Sequence, residues 1–270
     1  MSATLIELAR LAARLLLVAA VFIPLERLFA AHRQTVLRPG LGADLAYYLI
    51  GGFVPKLLLI LPLSALAWAL HEAQPSAFYD MMGGLPLGLR LAAAFVVGEA
   101  GYYAAHRAMH TVPWLWRCHA IHHSAEAMDW LVNVRAHPFD LAIGRLGGLL
   151  PIYLLGLAQP TAGTADSVPL LVALVGSLWG FFVHANVTWR FGWLEYVIAT
   201  PGFHHWHHTR DDPSVIDKNY ASMLPVLDWL FGTLHLPPAA RPRTFGIEAA
   251  LPDDLAGQLL HPLHRDSAPR

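Results

Sequence analysis

Residues 99–140 read EAGYYAAHRAMHTVPWLWRCHAIHHSAEAMDWLVNVRAHPFD and hold six of the sixteen histidines in this chain. The stretch contains two histidine boxes, HRAMH at 106–110 and HAIHH at 119–123. Residues three or four apart share one face of a helix, so each box projects its imidazoles together. The spacing therefore predicts two histidine-bearing helices at the centre of the fold.

A third box, HHWHH at 204–208, repeats the HxxHH spacing of the second. Neutral imidazole binds iron, zinc, copper or nickel, and these spacings let two ring nitrogens converge without backbone strain. One HxxxH pair alone is typical of ordinary core or surface histidines. Three boxes in a chain with 14% charged residues are hard to explain by packing, because each buried imidazole needs a partner. We interpret the boxes as a metal site.

The composition is that of a membrane protein. Hydrophobic residues make up 56% of the chain and charged residues 14%, against about a quarter in average soluble proteins. The net charge of −1 offers no basic face for nucleic acid, so we expect no nucleic-acid partner. Cys118 is the single cysteine, which excludes an internal disulfide. We interpret it as an inert thiol and keep metal ligation as the less favoured alternative.

Five apolar segments alternate with polar stretches and predict an all-α integral membrane protein with four to five transmembrane helices. The first segment contains Arg14, Pro24, Glu26 and Arg27, so it either spans with a tilt or lies in the membrane interface. The segments are 11–30, 45–70, 85–105, 141–158 and 168–185. We expect the remainder to form a cytoplasmic, histidine-rich helical cap that holds the metal site.

The distribution of Lys and Arg predicts the orientation. The polar stretches 71–84 and 159–167 contain neither residue, whereas arginines are frequent near the histidine boxes. By the positive-inside rule the boxes face the cytoplasm, although Arg10 and Arg14 would then lie outside if the first segment spans. Residues 239–270, which are interrupted by prolines, are predicted to be extended or loosely packed. His235, His261 and His264 lack ligand spacing and are interpreted as surface residues.

The three boxes, followed by NYASMLPVLDWLFGT, resemble the fatty acid hydroxylase and sterol desaturase superfamily of integral membrane di-metal oxygenases. The resemblance covers about residues 94–233, and its form is most similar to bacterial members described broadly as sterol desaturase family proteins. It implies three regions: N-terminal membrane segments at 1–93, a catalytic domain at 94–234 and a cytoplasmic tail at 235–270.

The resemblance also implies two non-haem iron ions, with zinc as a substitute on isolation, and O2 as co-substrate. The nine implied ligands, through which catalysis would occur, are His106, His110, His119, His122, His123, His184, His204, His207 and His208. Some relatives carry a further histidine where this chain has Thr188. That ligand would then be missing, replaced by water, or supplied by Asn186, His137 or a carboxylate.

Several other residues are candidates for tuning the site from behind its ligands. We favour a hydrogen bond from His137 to a metal ligand over direct ligation by His137. A carboxylate inside a spanning segment, such as Glu99, is expensive and often functional. His205 would point away from its neighbours on a helix and is left out. Further carboxylates considered, each equally explained by an ion pair or a helix cap, are Asp129, Asp140, Asp217 and Asp228.

The expected function is a lipid hydroxylase of the bacterial inner membrane, with its active site on the cytoplasmic side. The same site could instead form a double bond, and a non-enzymatic zinc-binding membrane protein is the alternative from another class. A metal-dependent hydrolase is less favoured, since no Ser or Glu motif is evident. No GxGxxG or CxxC pattern is present, so a separate cytochrome b5-, ferredoxin- or reductase-type electron donor is expected.

Overall fold

The computed structural model describes residues 2–159, 166–238, 240–249, 251–252 and 254–263. Within these ranges the chain is helical, and its only β-type pairings are isolated bridges, Ala30 with Val187 and Thr209 with Phe245. The helices are α1 Ala3–Phe29, α2 Leu41–Ala73, α3 Ser76–Gly83, α4 Leu87–Thr111, α5 Pro113–His123, α6 Pro138–Leu154, α7 Ser167–His184, α8 Pro201–His207, α9 Val226–Leu230 and α10 Leu255–Leu260.

Three of these helices are long and apolar enough to cross a membrane, namely Thr4–Phe29, Leu41–Ala73 and Ser167–His184. A fourth candidate span combines α3 and α4, which meet at a bend of 109°. The described part of the chain therefore has three candidate spans, or four if the bent pair crosses as one. The prediction of an all-helical membrane protein is confirmed, whereas the number of spans stays a prediction.

Two predicted segments differ from the helices observed. Segment 141–158 forms α6, which starts earlier and, at 17 residues, is shorter than the predicted span; it packs against α4 and α2. Segment 85–105 extends as α4 to Thr111, so the first histidine box belongs to the same helix. Pro113 then starts α5 at its first turn, where a missing N–H costs nothing. The stretch 71–84 contains α3, and most of 159–167 lies outside the described residues.

The C-terminal tail packs more closely than predicted. It contains α10 and a short 3-10 helix, His261–Leu263, in which His261 is buried rather than exposed. The Tyr47 hydroxyl donates to Gln258 Oε1 at 3.0 Å, and His137 Nε2 donates to the Leu259 carbonyl at 3.0 Å. The LAGQLL stretch that forms α10 accepts both of these hydrogen bonds and so anchors the tail. His264 lies outside the described residues.

Glycines let α4 and α6 approach closely near the histidines. A Cβ atom added at Gly101 would overlap the carbonyl oxygen of Gly147 and lie 2.8 Å from Pro151 Cγ. Small residues at such crossings permit backbone contact between membrane helices. The pairing fixes the level at which α4 presents its histidine box.

We therefore expect Gly101→Ala to lower the thermal midpoint of the detergent-solubilised protein. The overlap costs on the order of 1–3 kcal/mol, more than alanine gains in helix propensity. The matched control is Gly176→Ala in α7, where an added Cβ would meet no atom within 4 Å. Equal midpoints for the two variants would show that the α4–α6 approach is not tightly packed.

Candidate metal centre

Four helix ends bring the histidine boxes together. The C-terminal part of α4 carries the first box, α5 the second, α8 and the residue after it the third, and His184 ends α7. Thr200 caps α8 by accepting a hydrogen bond from the Phe203 N–H at 3.3 Å, and Pro201 occupies the first turn. Each box thus lies on a helix, which fixes the direction in which its histidine side chains point.

All nine predicted ligands lie in two groups whose potential ligand atoms are within 4.8 Å of one another. Every member of both groups is buried. The first group is His106, His110, His119, His123 and His207, and the second is His122, His184, His204 and His208. The structure therefore brings the predicted residues together, although their role as ligands stays a prediction.

The division between the groups follows helix geometry. Within each box, the residues four apart lie in the same group: His119 and His123 are both in the first group, and His204 and His208 are both in the second. The histidine just before the last one of each box lies in the other group, so His122 belongs to the second group and His207 to the first. A residue one position along a helix points about 100° away, which directs adjacent histidines toward different centres.

Backbone carbonyls fix the tautomer of several imidazoles. A carbonyl oxygen only accepts, so a ring nitrogen bonded to one carries the proton. The carbonyl-bonded pairs are His106 Nδ1 with Tyr220 at 2.6 Å, His122 Nδ1 with Arg135 at 3.0 Å, His184 Nδ1 with Gly180 at 2.7 Å and His207 Nδ1 with Lys218 at 2.8 Å. In each of these rings Nε2 is left with a lone pair.

These lone pairs face one another inside both groups. His122 Nε2 lies 3.3 Å from His184 Nε2 in the second group. His106 Nε2 lies 3.0 Å from His119 Nε2 in the first, and His119 uses its Nδ1 to bond Asp140 Oδ1 at 2.8 Å. Two neutral acceptors cannot hydrogen-bond each other, and a cation between them removes the repulsion. The donor set therefore fits a metal ion in each group.

The charge state of the rings agrees with this arrangement. Burial lowers the pKa of five histidines outside the spans well below the usual value of 6.5; they are His122, His123, His204, His207 and His208. They are therefore neutral at physiological pH, which is the ligating form of imidazole. The same burial disfavours the charged form of each ring, which excludes a cluster of protonated histidines without nearby negative charge.

A single loop supplies two of the carbonyls. Asp228 accepts from the backbone N–H groups of Tyr220 and Ala221, each at 2.8 Å. Asn219 donates to the Phe203 carbonyl at 2.9 Å and adopts a positive φ of 60°. The loop therefore holds the Tyr220 and Lys218 carbonyls against His106 and His207. Sequence reasoning missed these contacts, because a backbone acceptor leaves no side-chain signal.

The candidate carboxylates divide into two sets. Asp140 bonds His119, and Asp217 Oδ1 lies 3.1 Å from His110 Nδ1. Glu99 instead accepts from Ser222 Oγ at 2.6 Å and from the Met223 N–H at 2.8 Å. Asp129 pairs with an arginine and Asp228 holds the loop described above.

The remaining candidates also bond elsewhere. His137 caps α6 by accepting from the Phe139 N–H at 3.2 Å, and Asn186 bonds the backbone N–H and carbonyl of His32, both at 2.8 Å. Thr188 is exposed, and among the residues described neither it nor Cys118 contributes to a group. Burial raises the pKa of the Cys118 thiol to about 12. His205 is buried, outside both groups, with its ring edge toward Phe245.

The family model for fatty acid hydroxylases matches residues 91–233, more than half of the chain and all three boxes with His184. The chain belongs to the fatty acid hydroxylase family. This confirms the resemblance drawn from the histidine boxes. No solved structure matches the chain.

Several similar proteins carry names that state an enzymatic activity. The chain is 34% identical over 181 residues to ornithine lipid hydroxylase OlsE of Rhizobium tropici, covering 67% of this chain and 52% of OlsE. It is 32% identical over 142 residues to human alkylglycerol monooxygenase, covering 53% of this chain and 30% of the relative. A rice very-long-chain aldehyde decarbonylase, GL1-5, is 30% identical over 142 residues, 49% of this chain and 21% of the relative. This chain thus spans about half or less of each relative's length.

In this fatty acid hydroxylase family member, a buried ionic network lies behind His122. Arg38 bonds Asp129 at 2.5 Å and Asp44 at 2.7 Å, and Arg135 bonds the other oxygen of Asp44 at 2.5 Å. All four side chains are buried. The carbonyl of Arg135 accepts from His122, so the network connects the start of α2 to the second group.

We expect Asp44→Asn to destabilise this family member strongly. Removing one partner of a buried network leaves an uncompensated charge, which costs about 3–5 kcal/mol. Thermal unfolding in detergent would show a large drop in midpoint, with loss of metal from the second group. Glu7→Gln, which removes an exposed pair with Arg10 at 2.6 Å, is the control and should leave the midpoint unchanged. An unchanged midpoint for Asp44→Asn would contradict a stabilising role.

Proposed function

We propose that this chain is a membrane-bound di-iron oxygenase that hydroxylates a C–H bond of a lipid. The observation that carries the proposal is the pair of buried histidine groups, with Nε2 lone pairs facing each other in both. The family supports it, since relatives are a lipid hydroxylase and a monooxygenase by name. Because the chain covers only part of each relative, their substrates are not assigned to it.

The reaction balances as a monooxygenation. A lipid C–H bond, O2, two electrons and two protons give the lipid alcohol and one water. Two iron ions, when bound, supply the activation of O2 that no side chain provides. Zinc on isolation would not argue against iron in the cell, because zinc binds similar sites tightly.

The chain's own residues have definable tasks. The carbonyls of Tyr220, Arg135, Gly180 and Lys218 orient four imidazoles and keep their Nε2 atoms deprotonated. Burial of both groups excludes bulk water from the site. Asp140 accepts the Nδ1 proton of His119, which fixes the tautomer of that ring and directs its Nε2 toward the first group. These residues thus prepare a dry, neutral and preoriented donor set.

The location proposed is the bacterial inner membrane, with the histidines at the cytoplasmic face. The arginine distribution supports this orientation, and the boxes sit at the ends of α4 and α7 rather than at their middles. A lipid chain in the bilayer could then approach the site from the membrane side. The electrons come from a separate donor of the cytochrome b5, ferredoxin or reductase class, since no cofactor-binding fingerprint occurs in the chain.

The test is untargeted lipid mass spectrometry on cells that express the wild type or His122→Ala, grown with 16O2 or 18O2. A lipid that gains one labelled oxygen only with the wild type supports the hydroxylase and names its substrate. A lipid that loses two hydrogens without label would instead indicate a desaturase. If no lipid differs while both metals remain bound to the wild type, a non-enzymatic metal protein replaces the proposal.

A further inference from the structure

Two short segments outside the spans turn apolar side chains outward and acidic side chains inward. In the 3-10 helix Gly192–Tyr196, Trp193 is 72% exposed and Glu195 is 1% exposed. In α9, Trp229 is 67% exposed and Asp228 is fully buried. A surface helix in water shows the opposite pattern, with its charged residues outside. The inversion in both segments points to a non-aqueous environment.

The outward face of these segments carries only apolar or aromatic side chains of large size. We refer to residues 191–197 and 226–231 as the interface segments. Their exposed large residues are Phe191, Trp193, Leu194, Tyr196, Val197, Val226, Trp229, Leu230 and Phe231. Contiguous exposed apolar surface of this kind marks a protein-binding or membrane-binding site.

The acidic residues have structural partners that hold them inside. Glu195 bonds Arg190 Nε at 2.8 Å and accepts from Thr200 Oγ1 at 3.1 Å, next to the start of α8. Asp228 holds the loop that contacts His106 and His207. The acidic side chains of both segments therefore hold in place the residues next to the histidine groups. This packing does not require the outward face of the segments to be apolar.

Each interface segment contacts the C-terminal part of a helix that carries proposed metal ligands. The ring of Phe191 contacts Phe182 of α7, with centroids 6.3 Å apart. Phe231 stacks on Tyr103 of α4 at 5.3 Å, one turn before His106. Upstream on α7, the exposed residues Leu170, Leu174 and Leu178 are those expected to face lipid. The exposed apolar side chains of residues 191–197 thus lie next to the end of α7.

We propose that the interface segments lie in the headgroup region of the bilayer, with their outward side chains inserted among the lipids. Trp and Tyr favour this region because each combines an apolar ring with a polar edge. Proximity to the exposed apolar face of α7 favours lipid over a protein partner, since a protein docked there would also have to cover surface of that candidate span. The placement brings the membrane surface to Tyr103, beside the first histidine group.

The experiment measures how deeply these side chains sit in lipid. Trp193→Cys, Trp229→Cys and Leu230→Cys are each labelled with a nitrobenzoxadiazole maleimide in the full chain. The single native cysteine, Cys118, is 1% exposed, which shields it from the reagent. Each protein is reconstituted in phosphatidylcholine–phosphatidylglycerol vesicles, with or without phosphatidylcholine that carries a doxyl group near the headgroup.

The control is Glu126→Cys, whose native side chain is 77% exposed and pairs with Arg210 at 3.7 Å in polar surroundings. Labels on the interface segments are expected to lose most of their emission to doxyl lipid and little to aqueous iodide, and the control label the reverse. Iodide quenching equal to that of the control would overturn the proposal. Protection from both quenchers would also overturn it, in favour of a protein-covered face. Three labelled positions in two segments keep the test decisive if one variant does not fold.

Discussion

Replacing His184 by alanine is expected to remove one metal ion and abolish lipid oxidation. His184 is one of four histidines in the second group, and its Nε2 lies 3.0 Å from that of His204 and 3.3 Å from that of His122. Three histidines hold a metal more weakly than four and leave an opening for water. The metal content measured by mass spectrometry should fall from two ions to about one per chain, since the first group keeps its five donors.

The matched control for this prediction is His205→Asn. His205 is equally buried, lies in α8 between two proposed ligands, and belongs to neither group. Its ring forms a hydrogen bond with the backbone of His184, and asparagine keeps a donor for that bond. The variant should retain both metals. Equal metal loss from both variants would mean that the third box responds to disturbance in general, and that the assignment of His184 as a ligand is wrong.

Helix geometry made the core of this site predictable from sequence. The spacing of the boxes placed each set of histidines on a helix, and the structure has helices at all three. The same geometry carries the division into two groups, because adjacent residues such as His122 and His123 cannot face one centre on a regular helix. What spacing could not supply was which box pairs with which. That depends on the tertiary packing of α4, α5, α7 and α8.

The parts that could not be predicted depend on backbone atoms and on helix length. The carbonyls that orient His106 and His122 belong to Tyr220 and Arg135, whose side chains carry no signal for this role. Segment 141–158 was delimited by its hydropathy, whereas Pro138 starts α6 early and the helix ends at Leu154. Hydropathy alone does not fix the first and last residues of a helix.

The contacts of the buried carboxylates could not be predicted either. Asp228 was considered as a group near the metals, but it holds the loop of residues 219–221 from behind. Glu99, a carboxylate within α4, bonds Ser222 and Met223 and so connects the same region to that helix. Both carboxylates satisfy backbone N–H groups of one irregular segment, which sequence patterns do not place. Their effect on the histidines is exerted through the position of that segment.

Asp140→Asn is expected to lower metal affinity and oxidation rate by about 10–100-fold, the usual effect of losing a carboxylate behind a metal-ligating histidine. Asp140 Oδ1 lies 2.8 Å from His119 Nδ1, and both side chains are buried. Asparagine keeps the shape and an acceptor oxygen but removes the charge that makes the ring a stronger donor. Competition with a chelator for bound iron, together with the rate of lipid oxidation, measures the two effects separately.

Two comparison variants make the Asp140 result interpretable. Asp217→Asn alters the equivalent contact to His110, but this carboxylate is 27% exposed and 3.1 Å away, so water screens it and the loss should be smaller. Asp80→Asn, at an exposed position in α3, should change neither quantity. If Asp140→Asn binds iron as tightly as the wild type, the carboxylate only positions α6. If all three variants lose affinity alike, the change reflects the total charge of the protein rather than its charge behind His119.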